Sequence, residues 1–401
     1  MTQPKRLIVI GAGVVGLTSA YALAEAGHEV TVLEAADQAA AGASYANAGL
    51  VSAASAEAWS SPGSIRAAAR WLFRADAPLK VHLGWDFERL GWLARFAWQA
   101  RSYEATTRAL TELSLASRQL TLDMAASEGA QFDLAQHGVL DLYPSMRDRA
   151  EAQRLITWMA EQGLERHLMD GEALACLEPT LPKTYPLAIH TPSDVTGDCA
   201  KFCAALAAAL PGLGGDVRFS CPVERVSVSG QEPRVHLKGG EVVTTDRLVI
   251  ANGLGASALS KPLGDQLSLY GVKGYALTVD LETQAQQAAA PRHGLLDHGA
   301  KIAVSRLGNR LRVAGTAEIG AKDLGLDPQR LKPLHAWIDR SLPALAEAPR
   351  TPWAGFRPMR AQILPLLMAS KASPHILYNV GHGHLGWTMA AGSALQLRDL
   401  I

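Results

Sequence analysis

The chain has 401 residues, is 48% apolar, and carries 38 basic against 38 acidic side chains, so its formal charge at neutral pH is zero. That length is too great for one small core and predicts about two domains, while the balanced charge gives no reason to expect a nucleic-acid partner. No run of about eighteen apolar residues occurs, so no membrane-spanning helix is expected, and the lack of an apolar leader before residue 6 predicts a cytoplasmic location.

Residues 6–10 read as an apolar strand that runs into Gly11, Gly13 and Gly16, then a helix, then a second strand that ends at Glu34. In such a unit Gly11 permits the tight turn. Gly13 lets a pyrophosphate reach the backbone of Val14 and Val15 at the helix N-terminus, and Gly16 lets helix and strand pack closely. A carboxylate placed like Glu34, with Ala35 beside it, can accept hydrogen bonds from a ribose, so an adenine dinucleotide is expected. Next comes a loop of small residues containing Ser44, Asn47, Ala48, Gly49 and Leu50, where backbone can come close to a ligand.

From residue 62 to 103 the composition changes. Trp71, Trp85, Trp92 and Trp98 are interleaved with Arg66, Arg70, Arg74, Lys80, Arg89, Arg95 and Arg101. The first expectation is a helical pair with core tryptophans; the second is a peripheral membrane contact through 64–103, on the inner face of the cell membrane. A strand at 134–143 and helices at 147–162 and 196–210 follow, then short strands at 217–219, 223–228, 235–237 and 247–251. The last of these runs into a turn at Asn252 and Gly253. Alternating strands at 267–281 and 301–315 suggest a second sheet. Cys176, Cys199, Cys203 and Cys221 show neither metal spacing nor a redox pair, so no metal is expected and redox chemistry must sit on a cofactor.

Near the C-terminus a strand at 376–380 passes through Gly381, Gly383 and Gly386 into an alanine-rich helix. This second glycine turn suits a cofactor as long as FAD and would go unused in a nicotinamide fold. A helix N-terminus near the flavin pyrimidine would stabilise negative charge on the reduced ring.

Residues 9–16, 46–49, 196–198, 273–275, 355–358 and 381–389, taken together and in order, resemble the D-amino acid dehydrogenases. These fall within the wider D-amino acid oxidase, glycine oxidase and sarcosine oxidase (DAO) group of flavoproteins. The resemblance implies noncovalent FAD, oxidation of a D-amino acid to an imino acid that hydrolyses to a 2-oxo acid and ammonia, and transfer of the electrons to a quinone or another acceptor. It implies an α/β, Rossmann-like FAD domain of the glutathione-reductase type with an α+β, antiparallel-sheet substrate cap. The expected boundaries are 1–85, 150–264 and 340–401 for the FAD domain and 86–149 and 265–339 for the cap.

Carried over by position, Arg357 would pair with the substrate carboxylate, and a guanidinium fork suits that task. His384 would offer its backbone carbonyl to the substrate amine, Leu50 would line the flavin face, and Val223 would meet adenine. Tyr275 is the expected second carboxylate contact and Tyr270 the runner-up. Cofactor contacts are also expected from Gly383, Leu385, Gly386, Trp387 and Thr388. Hydride transfer needs no base on carbon, so neither His382 nor His384 is assigned as a catalytic acid or base.

Three departures stand out. Met359 to Ile363 replaces the segment usual after the dehydrogenase arginine, residues 295–303 lack a tyrosine that relatives carry, and the last helix reaches residue 401 without the further segment expected of dehydrogenases. Two other classes remain open: a nicotinamide-dependent dehydrogenase, and a noncatalytic flavin subunit of an electron-transfer complex. Within the flavoenzyme reading, glycine, sarcosine, D-proline or D-hydroxyproline are rival substrates, with oxygen as a rival acceptor.

Overall fold

The computed structural model describes residues 4–61, 63, 77–82 and 84–401. The Arg6–Ile10 strand is apolar and buried on both faces, which suits the interior of a parallel sheet. It pairs in parallel with Glu29–Leu33 on one side and with Arg247–Ile250 on the other, and Arg247–Ile250 pairs in parallel with Ile376–Val380. Asp216–Arg218 and an antiparallel Leu366–Ala369 complete six strands, and a three-stranded meander over 223–244 lies beside them.

The Val14–Glu25 helix covers this sheet and is buried along nearly its whole length. Its alanines share one core with Ala390, Ala391 and Ala394 of the Gly386–Arg398 helix, and with Cys199 and Cys203, which are core residues as their helical spacing suggested. The 25-residue helix Tyr103–Ser127 packs on the same C-terminal helix so closely that a Cβ on Gly392 would stand 2.8 Å from Leu113. The sequence reading missed this helix, which lies among residues expected in the cap.

A nine-stranded mixed sheet forms the second layer. One end is the long antiparallel set Arg350–Arg360, Leu269–Asp280 and Arg310–Ile319, and the other end carries Val139–Tyr143, Leu187–Thr191 and His167–Asp170. The expected boundaries placed 167–170, 187–191 and 350–360 with the nucleotide segments; their hydrogen bonds run in this sheet instead. The Pro328–Ser341 helix seals the outer face, with Trp337 and Leu334 packed on Tyr275, Leu277 and Val313.

Candidate active site

Because Arg6–Ile10, Arg247–Ile250 and Ile376–Val380 are adjacent and parallel, the three turns that follow them lie side by side at one sheet edge. Gly11 is at φ +106°, and a Cβ there would stand 2.8 Å from Asn252 Cα, so the first two turns abut. A Cβ on Gly16 would lie 1.8 Å from the Gly11 carbonyl oxygen, which fixes glycine at the helix-to-turn contact. The Val14 amide donates to Ser44 Oγ at 3.1 Å, and the other amides of that first turn have no partner inside the helix. Glu34 accepts from the Ala12 amide at 2.6 Å and the Ala36 amide at 2.9 Å, one on each oxygen, leaving lone pairs on both for a ribose. The chain just before Val223 is tied to this corner, since the Cys221 and Glu34 segments exchange backbone bonds, including Cys221 N–H to Glu34 O at 2.8 Å.

The loop over 44–54 is clamped from both layers. Arg312 donates to Asn47 O at 3.2 Å, Ser305 to Ala48 O at 2.7 Å, and Gly197 to Gly49 O at 2.9 Å. Leu50 and Val51 pair with Val195 and Thr196, and the Ser52 amide donates to Thr388 Oγ1 at 3.3 Å, which brings the loop to the start of the C-terminal helix. Asp194, fully buried, takes hydrogen bonds from Ser52 Oγ, the Ala53 and Ala54 amides, and Arg118 at 2.6–3.1 Å. Sequence reasoning did not find Asp194 or Arg118.

These features fit FAD. A glycine-lined N-terminus faces a waiting carboxylate, and further along the same sheet edge Asn252 Oδ1 and both ring nitrogens of His384 are buried without hydrogen-bond partners. Trp387 contributes differently from what its place in the turn suggested: its ring packs into the core against Phe132 and Phe202, leaving its backbone at the helix start.

Tyr270, Val272 and Gly274 share one face of their strand with Gly355, Arg357 and Met359 of the neighbouring strand. Arg357 lies across Gly274, where a Cβ would come within 2.4 Å of its Nη2; the glycine makes room for the guanidinium. Its hydrogen bond is to Thr316 O at 3.4 Å, and among the described residues no carboxylate pairs with it. Burial alone pulls its pKa down to about 10. The Trp59 ring lies 5.9 Å from the guanidinium and stacks on His384 at 4.2 Å and 24°. Burial, reinforced by Arg357, pushes the His384 imidazole down to about 3, so it is neutral near pH 7. His382 is likewise held down to about 3 by burial, and its Nε2 lies 2.9 Å from Ser393 Oγ in the helix interior.

Tyr275 is a correction. Being next to Gly274, it points to the opposite face of the sheet, into the core with Trp337, and its hydroxyl donates to Glu318 at 2.7 Å. It cannot reach a ligand on Arg357. Tyr270 stays on the Arg357 face, half-buried, with its ring 5.3 Å from Trp92. The site residue that sequence reasoning missed is Trp59; its one signal was a lone tryptophan in the small-residue stretch after Leu50.

Comparison with known proteins identifies the family. The family model described as FAD dependent oxidoreductase (DAO) matches residues 6–400. A protein named D-amino acid dehydrogenase 3 from Mesorhizobium japonicum is 35% identical over 99% of this chain and 97% of its own length. A D-amino acid dehydrogenase from Phenylobacterium zucineum is also 35% identical, over 99% of this chain and 93% of its own. Glycine oxidase from Geobacillus kaustophilus shares the fold, with a TM-score of 0.75 at 21% identity, over 100% of this chain and 95% of that one. The chain belongs to the DAO family of FAD-dependent oxidoreductases.

Proposed function

We propose that the protein oxidises D-amino acids to imino acids, which water converts to 2-oxo acids and ammonia, with the electrons passing to a quinone or similar acceptor. The carrying observation is Arg357: a cation set deep on the sheet face, without an anionic partner among the described residues, beside the glycine turn that precedes the C-terminal helix. A substrate carboxylate supplies the missing charge through two parallel hydrogen bonds and fixes the direction of Cα. Bound FAD would supply the acceptor for a hydride from Cα. The chain's own residues hold the carboxylate, exclude water with Trp59 and Met359, and leave the substrate amine against the turn at His384. Its N-terminal nucleotide segments and the mixed sheet divide the work between cofactor and substrate.

The test is anaerobic mixing with a panel of D- and L-amino acids, glycine and sarcosine. Bleaching of the flavin by D-amino acids is expected; if none of them bleaches it, the assignment is wrong. Reoxidation of the bleached enzyme by quinone faster than by oxygen is the expected mark of a dehydrogenase.

We also propose a peripheral contact with an anionic membrane surface. Among the described residues no helix is long and apolar enough to cross a membrane. The Phe87–Trp98 helix buries Trp92, at 2% exposure, yet Trp85 is 91% exposed, Phe87 83% and Trp98 67%, with Arg101 stacked on Trp98. Arg95 and Arg101 are exposed on and beside this helix, which favours an anionic bilayer as the occupant of this apolar face. Trp71, Arg66, Arg70 and Arg74 lie outside the described residues. Co-flotation with anionic vesicles, lost in Trp85→Ala/Phe87→Ala/Trp98→Ala and at high salt, is expected; equal recovery with neutral vesicles rules the charge argument out.

A further inference from the structure

Resting on that reading, Arg357 fixes one end of the substrate, and the substituents on Cα must then lie within a few bonds of the guanidinium. Two aromatic groups border that space. On one side Tyr45, 48% exposed, sits 6.4 Å from Trp353, and this side is open to solvent. On the other side Trp59 is 5.9 Å from the guanidinium and half-buried.

Trp59 is half-buried and held from several directions. One face stacks on His384, which a glycine turn positions. Its backbone neighbour Ala58 is buried and donates to Thr107 Oγ1 of the long helix at 3.2 Å. Its ring joins a cluster with Val272, Ile319, Met359 and Tyr270, none of which is charged at neutral pH. A substrate side chain placed there meets aromatic and aliphatic carbon. An aromatic or thioether group gains packing on the indole, whereas a carboxylate or ammonium loses water and, among the described residues of this cluster, meets no opposite charge.

We propose that Trp59 is the specificity-determining residue of this site, forming with His384 a rigid wall that selects D-amino acids with apolar side chains over those with charged ones. Each part of that statement is separable from turnover. Binding of a carboxylate with an apolar body can be read from the perturbation of the flavin spectrum, with benzoate and acetate as the probes.

The wild type is expected to bind benzoate about tenfold or more tightly than acetate, the scale of discrimination an apolar pocket supplies. Trp59→Ala should remove most of that gap and Trp59→Phe should keep it. In turnover, D-phenylalanine and D-methionine should exceed D-aspartate and D-lysine in kcat/KM, with the loss in Trp59→Ala falling on KM for the apolar pair. Equal weakening of both probes in Trp59→Ala, or an unchanged gap, overturns the proposal. If Trp59→Ala sheds its flavin, Trp59→Leu carries the same comparison: a narrowed gap supports the wall, and an unchanged one overturns it. A wild type that binds benzoate with the expected gap but is bleached by no D-amino acid overturns the D-amino acid selection and the substrate reading beneath it.

Discussion

The two ends of the candidate cofactor cradle are finished to different degrees. At the nucleotide end much is provided for within the chain: Glu34 already holds two amides, Ser44 covers Val14, and the glycines close the turns, while other amides of the first helical turn lack a partner inside the helix. At the reactive end Arg357 has one long bond to a carbonyl, and both nitrogens of His384 lack partners. An end that only anchors can be largely organised before its ligand arrives. One that must discriminate keeps its unmet polar groups for the ligand, because an unpaired buried group rejects whatever cannot satisfy it.

The largest expected effect lies at the anchoring end. Gly16→Val puts side-chain carbon into the Gly11 carbonyl, and overpacking of that kind costs upwards of ~3 kcal/mol; the purified protein should be colourless with a lowered denaturation midpoint. Arg357→Ala should leave flavin content intact and weaken substrate by about 2–5 kcal/mol, since the carboxylate is left buried and unpaired. Unchanged apparent affinity would show that the reactive end is organised around some other group. Glu34→Ala should lower FAD affinity by about 1.5–3 kcal/mol, the worth of hydrogen bonds to a charged acceptor, without raising KM at saturating FAD. A raised KM there would mean that the two ends are coupled.

The last prediction concerns pH. The unfolded chain protonates His382 and His384 near 6.5, the folded chain only near 3. Between those values the unfolded state holds more protons, so stability falls as pH drops through that window and is insensitive to these groups above it. His382→Asn should flatten the dependence of the urea midpoint between pH 6 and 4; an unaltered slope would place the sensitivity elsewhere.

The anchoring end was legible because its signal is contiguous. Gly11, Gly13, Gly16 and Glu34 act through one short stretch of backbone, and residues 381–388 repeat the pattern. The reactive end is built from side chains 59, 270, 357 and 384, whose neighbourhood exists only after two layers pack. Tyr275 was misread because one residue's shift along a strand reverses the face. The Tyr103–Ser127 helix was hidden by its own packing. Its buried side includes Thr106, Thr107, Thr111, Ser114, Ser117 and Thr121, small polar residues that permit a close helix approach but carry no apolar period. Thr111 and Thr121 return their hydroxyls to the carbonyls four residues back, which makes that burial tolerable.

The pairing of Arg247–Ile250 with Ile376–Val380, and the packing of Val14–Glu25 on Gly386–Arg398, also set a schedule. The glycine fingerprint precedes residues 376–398 in the chain, yet the surface it rests on is made only when those residues are present. A chain lacking residues 376–398 is therefore expected to carry the glycine motif without the surface it packs on.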